Sequence, residues 1–271
     1  MCAQSPPEIA QTICDVGCKK TKLQLGKMFV LAVLAGAYIG FGAQFATAVK
    51  VGLADKVGAG FASLVGGAVF TVGLMLVVIG GAELFTGNNL ISLACCHGKA
   101  AWTGLLKNWV VVYAGNFVGS VVLALIVFGG FYAFRDPGAL GTLALSTANA
   151  KVSLSFAEGI FRGIACNWLV CLAVWLAASS KDTIGKIFSC FFPIMAFVAM
   201  GFEHSIANMY FIPMGLFLKE GTALTASASA NLTWTGFLTN NLLPVTIGNI
   251  IGGVFFVAVL YWYAYLQGKK E

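Results

Sequence analysis

The chain has 271 residues, of which 59% are hydrophobic and 10% charged, and it carries 33 glycines. So few solvated groups cannot cover a soluble surface of that size, which excludes water as the surrounding medium, while abundant glycine suits helices packed closely in lipid. A formal net charge of +6 raises the question of nucleic acid, but no basic cluster is interleaved with aromatics and the lysines stand at the ends of apolar runs, so no nucleic-acid partner is expected.

Residues 1–27 are polar, carry Lys19, Lys20, Lys22 and Lys27, and lack a cleavable signal; they are expected to form a cytoplasmic N-terminal segment. The Cys14 and Cys18 pair has metal-like spacing but no histidine or third thiol nearby, so no metal site is expected. Residues 28–266 read as one transmembrane domain, in which runs of about 20 apolar residues can each cross the hydrocarbon core as a helix. Six spans are predicted, at 28–49, 58–96, 108–134, 157–178, 187–218 and 241–266, followed by a cytoplasmic tail at 267–271. Unbroken runs such as Val110 to Phe134 exclude a lipid-spanning β-barrel, whose strands alternate apolar and polar residues. Spans two and five are too long for one ordinary helix and hold polar groups at their middles: Glu83, Thr86, Asn88 and Asn89 in one, Glu203, His204 and Asn208 in the other. Both read as interrupted helices, because freed backbone groups at membrane depth are tolerated only where they line a cavity or are buried in protein.

The stretch 135–156, which contains Lys151, reads as a connection, and Thr222 to Thr235 as a long outward loop. Cys95, Cys96, Cys166, Cys171 and Cys190 lie in or beside apolar runs and read as free thiols. The N-terminus, the 97–107 and 179–186 loops and the C-terminus hold ten of the sixteen lysines and arginines, which places both termini inside.

An internal repeat is the most informative feature. Gly81-x-Glu83-x4-Asn88 recurs as Gly201-x-Glu203-x4-Asn208 at an offset of 120, and Asn108-x6-Gly115-Asn116-x2-Gly119 recurs as Asn241-x6-Gly248-Asn249-x2-Gly252 at an offset of 133. The halves, about 28–134 and 157–266, each hold three spans, and an odd number makes them enter the membrane in opposite directions. The expected fold is therefore all-α and polytopic, with six transmembrane helices in two inverted three-helix repeats, spans two and five broken, and a pore between the halves.

Several side chains bear on that pore. His204 is the histidine placed near mid-membrane, whereas His97 sits beside Lys99 at a membrane edge; a buried imidazole is either satisfied by hydrogen bonds or donates into the pore. Glu83 and Glu203 are equivalent in the repeat and are expected to hold the helix breaks together, by accepting backbone N–H bonds or by pairing with Asn88, Asn208 or neighbouring amides; a proton relay is the functional alternative. Lys151 either snorkels at an interface or serves the pathway, and Asn167 either glues helices or lines the pore. Phe70, Leu74, Leu84, Phe85 and Phe197 flank the breaks and read as packing unless their placement makes them gates.

These residues carry a resemblance. Gly81-Ala-Glu-Leu-Phe-Thr-Gly87, Lys107-Asn-Trp109, Gly115-Asn116, Asn167-Trp-Leu-Val-Cys-Leu172, Gly201-Phe-Glu-His-Ser-Ile-Ala-Asn-Met209 and Pro244-Val-Thr-Ile-Gly-Asn249 are similar to the formate/nitrite transporter family. The resemblance implies a channel or transporter, not an enzyme, working as a homopentamer of aquaporin-like protomers in a bacterial or archaeal plasma (inner) membrane, without a cofactor. It implies that His204 is the central polar group, with Thr86 on the broken loop, and that Lys151, Asn167 and Asn208 attract or orient the anion. It further implies apolar constrictions formed by Phe70, Leu74, Leu84, Phe85 and Phe197, and assigns Glu83, Glu203 and Asn88 to the breaks. The implied substrate is a small monovalent anion of a weak acid. Ile212-Pro-Met-Gly215 and Asn240-Asn-Leu-Leu-Pro244 favour formate, with nitrite and hydrosulfide as alternatives. Proton coupling through His204 is one mechanism, and proton gain near Lys151 another. An aquaporin-like water or glycerol channel is the remote alternative, disfavoured because no Asn-Pro-Ala triplet occurs.

Overall fold

The computed structural model describes residues 4–132, 138–221 and 230–268, excluding the side chains of residues 131 and 132. The regular structure among the described residues is all helical, without strands. The chain opens with α1 (Pro6–Thr21), whose first turn is pinned by Glu8: its carboxylate accepts bonds from the Ser5 N–H and hydroxyl, both at 2.7 Å. Then follow α2 (Leu25–Lys50), the short α3 (Leu53–Val57), α4 (Ala59–Phe70) and α5 (Val72–Gly80). A break separates α5 from α6 (Ile91–Cys96), and α7 (Trp102–Val127) completes the first half. The second half runs through α8 (Gly138–Val152), α9 (Phe156–Ser179), α10 (Thr183–Ala199), α11 (Ser205–Gly221), α12 (Trp234–Gly236), α13 (Leu243–Gly253) and α14 (Leu260–Tyr265). Widened π-helical turns at Phe237–Leu242 and Val254–Val259 join the last three helices.

Among the described residues, five helices are long and apolar enough to cross a membrane: Leu25–Lys50, Ala59–Gly80, Trp102–Gly130, Phe156–Ser179 and Trp234–Tyr265. Val110, Phe161 and Ile184 keep 70%, 71% and 67% of their surface exposed, which only an apolar medium or a partner surface tolerates across so much of the exterior. The fifth span, read as an interrupted helix, is divided: α10 and α11 have 17 residues each and meet at a break over residues 200–204. Both breaks begin at a glycine with positive φ, Gly81 at 81° and Gly201 at 72°, a conformation that lets a helix stop and the chain turn aside. The second break closes earlier than expected, because α11 restarts at Ser205 and takes Asn208 into its first turn.

The helices of each half meet backbone to backbone. A Cβ on Gly36 of α2 would fall 2.1 Å from the Asn116 carbonyl oxygen, and one on Gly119 of α7 would fall 1.9 Å from that of Val33. In the second half, a Cβ on Gly163 of α9 would lie 2.8 Å from the Val245 oxygen, and one on Gly248 of α13 would lie 2.2 Å from that of Ile160. Only glycine permits such seams.

Two expected connections are corrected. The 135–156 stretch is not a loop: from residue 138 it forms α8, which buries Gly141, Ala144, Leu145, Ala148 and Val152 along one stripe against α11. Its small residues and short length hide it from a hydropathy scan. Of the loop expected at Thr222 to Thr235, residues 222–229 lie outside the described ones; the chain is helical again from Trp234, where the Thr233 hydroxyl caps the Gly236 N–H at 2.9 Å. Spans three and six begin earlier than expected, at Trp102 and Trp234.

Candidate functional site

The two breaks are tied alike, each by one asparagine. In the first half, Asn116 of α7 accepts the Phe85 N–H at 2.9 Å and donates to the Ala32 and Glu83 carbonyls at 2.7 and 2.9 Å. In the second, Asn249 of α13 accepts the Ser205 N–H at 2.9 Å and donates to the Gly163 and Glu203 carbonyls, both at 2.9 Å. The freed backbone groups of each break are thus satisfied by one carboxamide reaching across a glycine seam. The backbone N–H groups of Glu83 and Glu203 bond to the Leu31 and Arg162 carbonyls at 3.2 and 3.3 Å.

Each glutamate side chain is buried and held by one lysine and by amide donors, Glu203 taking a second amide bond from Asn241 at 3.4 Å. Asn88 donates to Glu83 Oε2 and Asn208 donates to Glu203 Oε2, both at 2.7 Å. Lys20 Nζ lies 2.7 Å from Glu83 Oε1 and 2.9 Å from Asn88 Oδ1, and Lys151 Nζ lies 2.8 Å from Glu203 Oε1. Of the expected partners the amides are present, while the remaining carboxylate valences go to lysines rather than to backbone N–H groups. The Lys151 side chain is 14% exposed and its ammonium stands 5.2 Å over the Phe211 ring, a placement turned inward rather than toward an interface. Lys20 was not singled out by the sequence. Its offset from Lys151 is 131, the same as that of Leu31 from Arg162 and of Ala32 from Gly163. That shared offset is the signal that would have found it.

His204 sits where the halves meet, at the residue before α11, and is 3% exposed. Its Nδ1 accepts the Ala207 N–H at 3.1 Å, capping the helix. The neutral ring therefore carries its proton on Nε2, which faces the Thr86 hydroxyl at 2.9 Å. Protonating Nδ1 would forfeit the cap, so the geometry favours a ring that offers a hydrogen bond and keeps its proton. Thr86 is fixed in turn through its carbonyl, which accepts from Asn167 Nδ2 at 3.3 Å and from the Cys171 thiol at 3.4 Å. Asn167 also donates to the Asn249 carbonyl at 2.6 Å, so it ties α9 to both the first break and α13.

Apolar rings lie on either side. Phe70 meets Phe197 edge-on with centroids 5.8 Å apart, and Phe197 lies nearly parallel to the His204 ring at 5.9 Å. On the other side, Leu74 and Leu84 line a cavity of about 450 Å³ that also contains Lys20, Glu83 and Asn88. Phe85 does not join them. Its ring packs on Trp109 and Tyr113, with centroids at 5.7 and 4.9 Å, beside an apolar groove between α7 and α13.

A buried donor pair between apolar rings, with a lysine–glutamate pair on each flank, is suited to passing a small anion or its acid. Comparison with known proteins agrees. The model of the family described as "Formate/nitrite transporter" matches residues 7–263. A "Probable formate transporter" of Methanothermobacter thermautotrophicus is 48% identical, with 97% of this chain and 98% of that protein covered. The "Formate channel FocA" of Escherichia coli strain K12 is 40% identical, covering 97% of this chain and 94% of the relative. Among solved structures, a "Pentameric formate channel with formate bound" superposes with a TM-score of 0.81 at 41% identity, over 90% of this chain and 98% of that one. This multi-pass membrane chain belongs to the formate/nitrite transporter family.

Proposed function

We propose that the chain is a formate channel, with a pore in each protomer of a homopentamer, set in a plasma membrane with both termini inside. The observation that carries this reading is the bond between His204 Nε2 and the Thr86 hydroxyl, buried between apolar rings where the two broken helices meet. A small carboxylate dehydrated at that point takes a hydrogen bond from the imidazole or the hydroxyl, which offsets part of its lost hydration. The names of the relatives support formate as the anion. The paired networks support six spans in two inverted repeats, and the offset of 131 that relates Lys20 to Lys151 extends those repeats to include α1 and α8. Phe70 and Phe197 form one constriction, Leu74 and Leu84 the other. Lys151, Asn167 and Asn208 orient the approach, while Glu83, Glu203 and Asn88 hold the breaks. Nitrite and hydrosulfide remain the competing substrates.

Proteoliposomes holding the purified protein should take up labelled formate faster than nitrite or hydrosulfide, and pass neither water nor glycerol above the lipid background. His204→Phe should abolish formate flux in an intact pentamer, read by native mass spectrometry. Normal flux in that variant would remove His204 from the pathway, and faster flux of either competitor would reassign the substrate.

A further inference from the structure

The lysine–glutamate pairs leave each mouth of the pathway electrically neutral at that point, which raises the question of what draws an anion there. Two further lysines answer it. Lys186, in the first turn of α10, lines the same cavity of about 450 Å³ as Lys20, Glu83 and Leu84. Lys50, the last residue of α2, lays its stem on Gly66 of α4: a Cβ there would meet its Cδ at 2.6 Å and its Cγ at 3.0 Å. Gly66 is one helical turn before Phe70 on the same face of α4, and Lys50 lies within electrostatic range of Lys151. Both lysines are half-buried, and among the described residues neither has a carboxylate within ion-pair distance. The carboxylate nearest to Lys186 in sequence, Asp182, is engaged in capping the Gly185 N–H at 2.7 Å.

The repeat connects the two. The offset of 120 that carries Glu83 onto Glu203 carries Gly66 onto Lys186. Where the second half places a lysine on its own helix, the first half places a glycine and lets the stem of Lys50 cross over it. Two unrelated positions in the sequence thus deliver an ammonium group to equivalent places.

We infer that Lys50 and Lys186 are the anion-capturing cations of the two mouths, each supplying the net positive charge that its neighbouring lysine–glutamate pair does not. This deepens the formate-channel reading and rests on it. The ligand class is a small monovalent carboxylate or an anion of like size, held loosely through one charge-assisted bond before it reaches the constriction. Lys20 and Lys151, already committed to carboxylates, then act as the fixed inner charges.

The test uses proteoliposomes sorted for a single orientation and formate well below saturation. Lys50→Met and Lys186→Met should each lower permeability about threefold to tenfold, as expected for one partly screened charge. Lys50→Arg and Lys186→Arg should restore it. The sided readout is salt: sodium gluconate added at one face should slow wild-type flux, Lys50→Met should blunt the response at the Lys151 mouth alone, and Lys186→Met at the Lys20 mouth alone. Independently of transport, formate should slow amine acylation of Lys50 and Lys186, followed by peptide mass spectrometry, relative to Lys56. Variants that retain wild-type permeability and both salt responses, in a protein that carries formate, would overturn this assignment and leave the channel reading standing. Wild-type liposomes that carry no formate would overturn the channel reading, and the acylation experiment would still decide whether the two lysines hold the anion: protection supports the assignment, and its absence rejects it.

Discussion

Replacing Asn249 with leucine tests the wiring of the second break directly. Leucine keeps the branched outline of asparagine but leaves the Ser205 N–H and the Gly163 and Glu203 carbonyls without the partner that now reaches them at 2.9 Å. Asn249 is fully buried, so water does not replace the lost bonds. Each orphaned buried group costs about 1–3 kcal/mol, and partial relaxation of the break brings the expected total for Asn249→Leu to roughly 3–5 kcal/mol. The sharper expectation is one of equality. Asn116 makes the corresponding bonds to Phe85, Ala32 and Glu83, so Asn116→Leu should cost the same to within about 1 kcal/mol. Reversible unfolding in mixed detergent micelles, with tryptophan fluorescence as the probe, gives both values. Wild-type stability in either variant, or a large loss in one and none in the other, would refute the claim that one carboxamide carries each break.

Three further outcomes follow from the same geometry. Lys20→Met should destabilise the protein by about 1–3 kcal/mol by stranding the buried Glu83 carboxylate, and Glu83→Gln in the same chain should recover most of that loss; failure of the second change to compensate would show that Lys20 acts elsewhere. Phe197→Ala should open the ring contact with Phe70 and raise acetate flux relative to formate severalfold, whereas Phe85→Ala should leave that ratio unchanged; liposome flux of both acids decides it. The bonds from the Ser5 backbone, and then from its hydroxyl, hold the Glu8 carboxyl below its ordinary value. A lowered folded value means that the support this carboxylate gives α1 is complete above the ordinary value of 4.5 and is lost as pH falls through the folded one. Amide exchange at the start of α1 should therefore accelerate as pH falls below the ordinary value of 4.5 in the wild type, and stay pH-independent in Glu8→Gln once corrected for intrinsic rates.

The spans were legible because an apolar run long enough to cross lipid has few other uses, and the breaks because Glu83 and Glu203 stand inside such runs. Asn116 and Asn249 were legible as repeat members but not as the residues that satisfy the breaks, since a carboxamide's partners depend on how closely two helices approach. The first helix and Lys20 were not legible. A polar segment with four lysines carries the signature of a topology signal, and its docking is decided by tertiary contacts such as Gly17 against Ile91 and Ala94. The eighth helix was hidden for a related reason: its buried stripe at residues 141, 144, 145, 148 and 152 consists largely of glycine and alanine, which contribute little hydropathy. Phe85 was grouped with Leu84 as a residue flanking the break and through the family resemblance, yet neighbours in a turn point apart, and of the two only Leu84 lines the cavity.

The glycine seams have a mechanical consequence. Where two backbones touch at the distances found between α2 and α7, and between α9 and α13, neither helix can slide or twist against the other without a carbonyl striking a Cα, so each pair behaves as one rigid strut. Compliance is left to the parts that have no such weld to a strut: α1 over its cavity, the half-helix α10, and the turn bearing Thr86. A pathway opened by thermal motion would then breathe at its lining while its frame, and the spacing of its two carboxamide ties, stayed fixed.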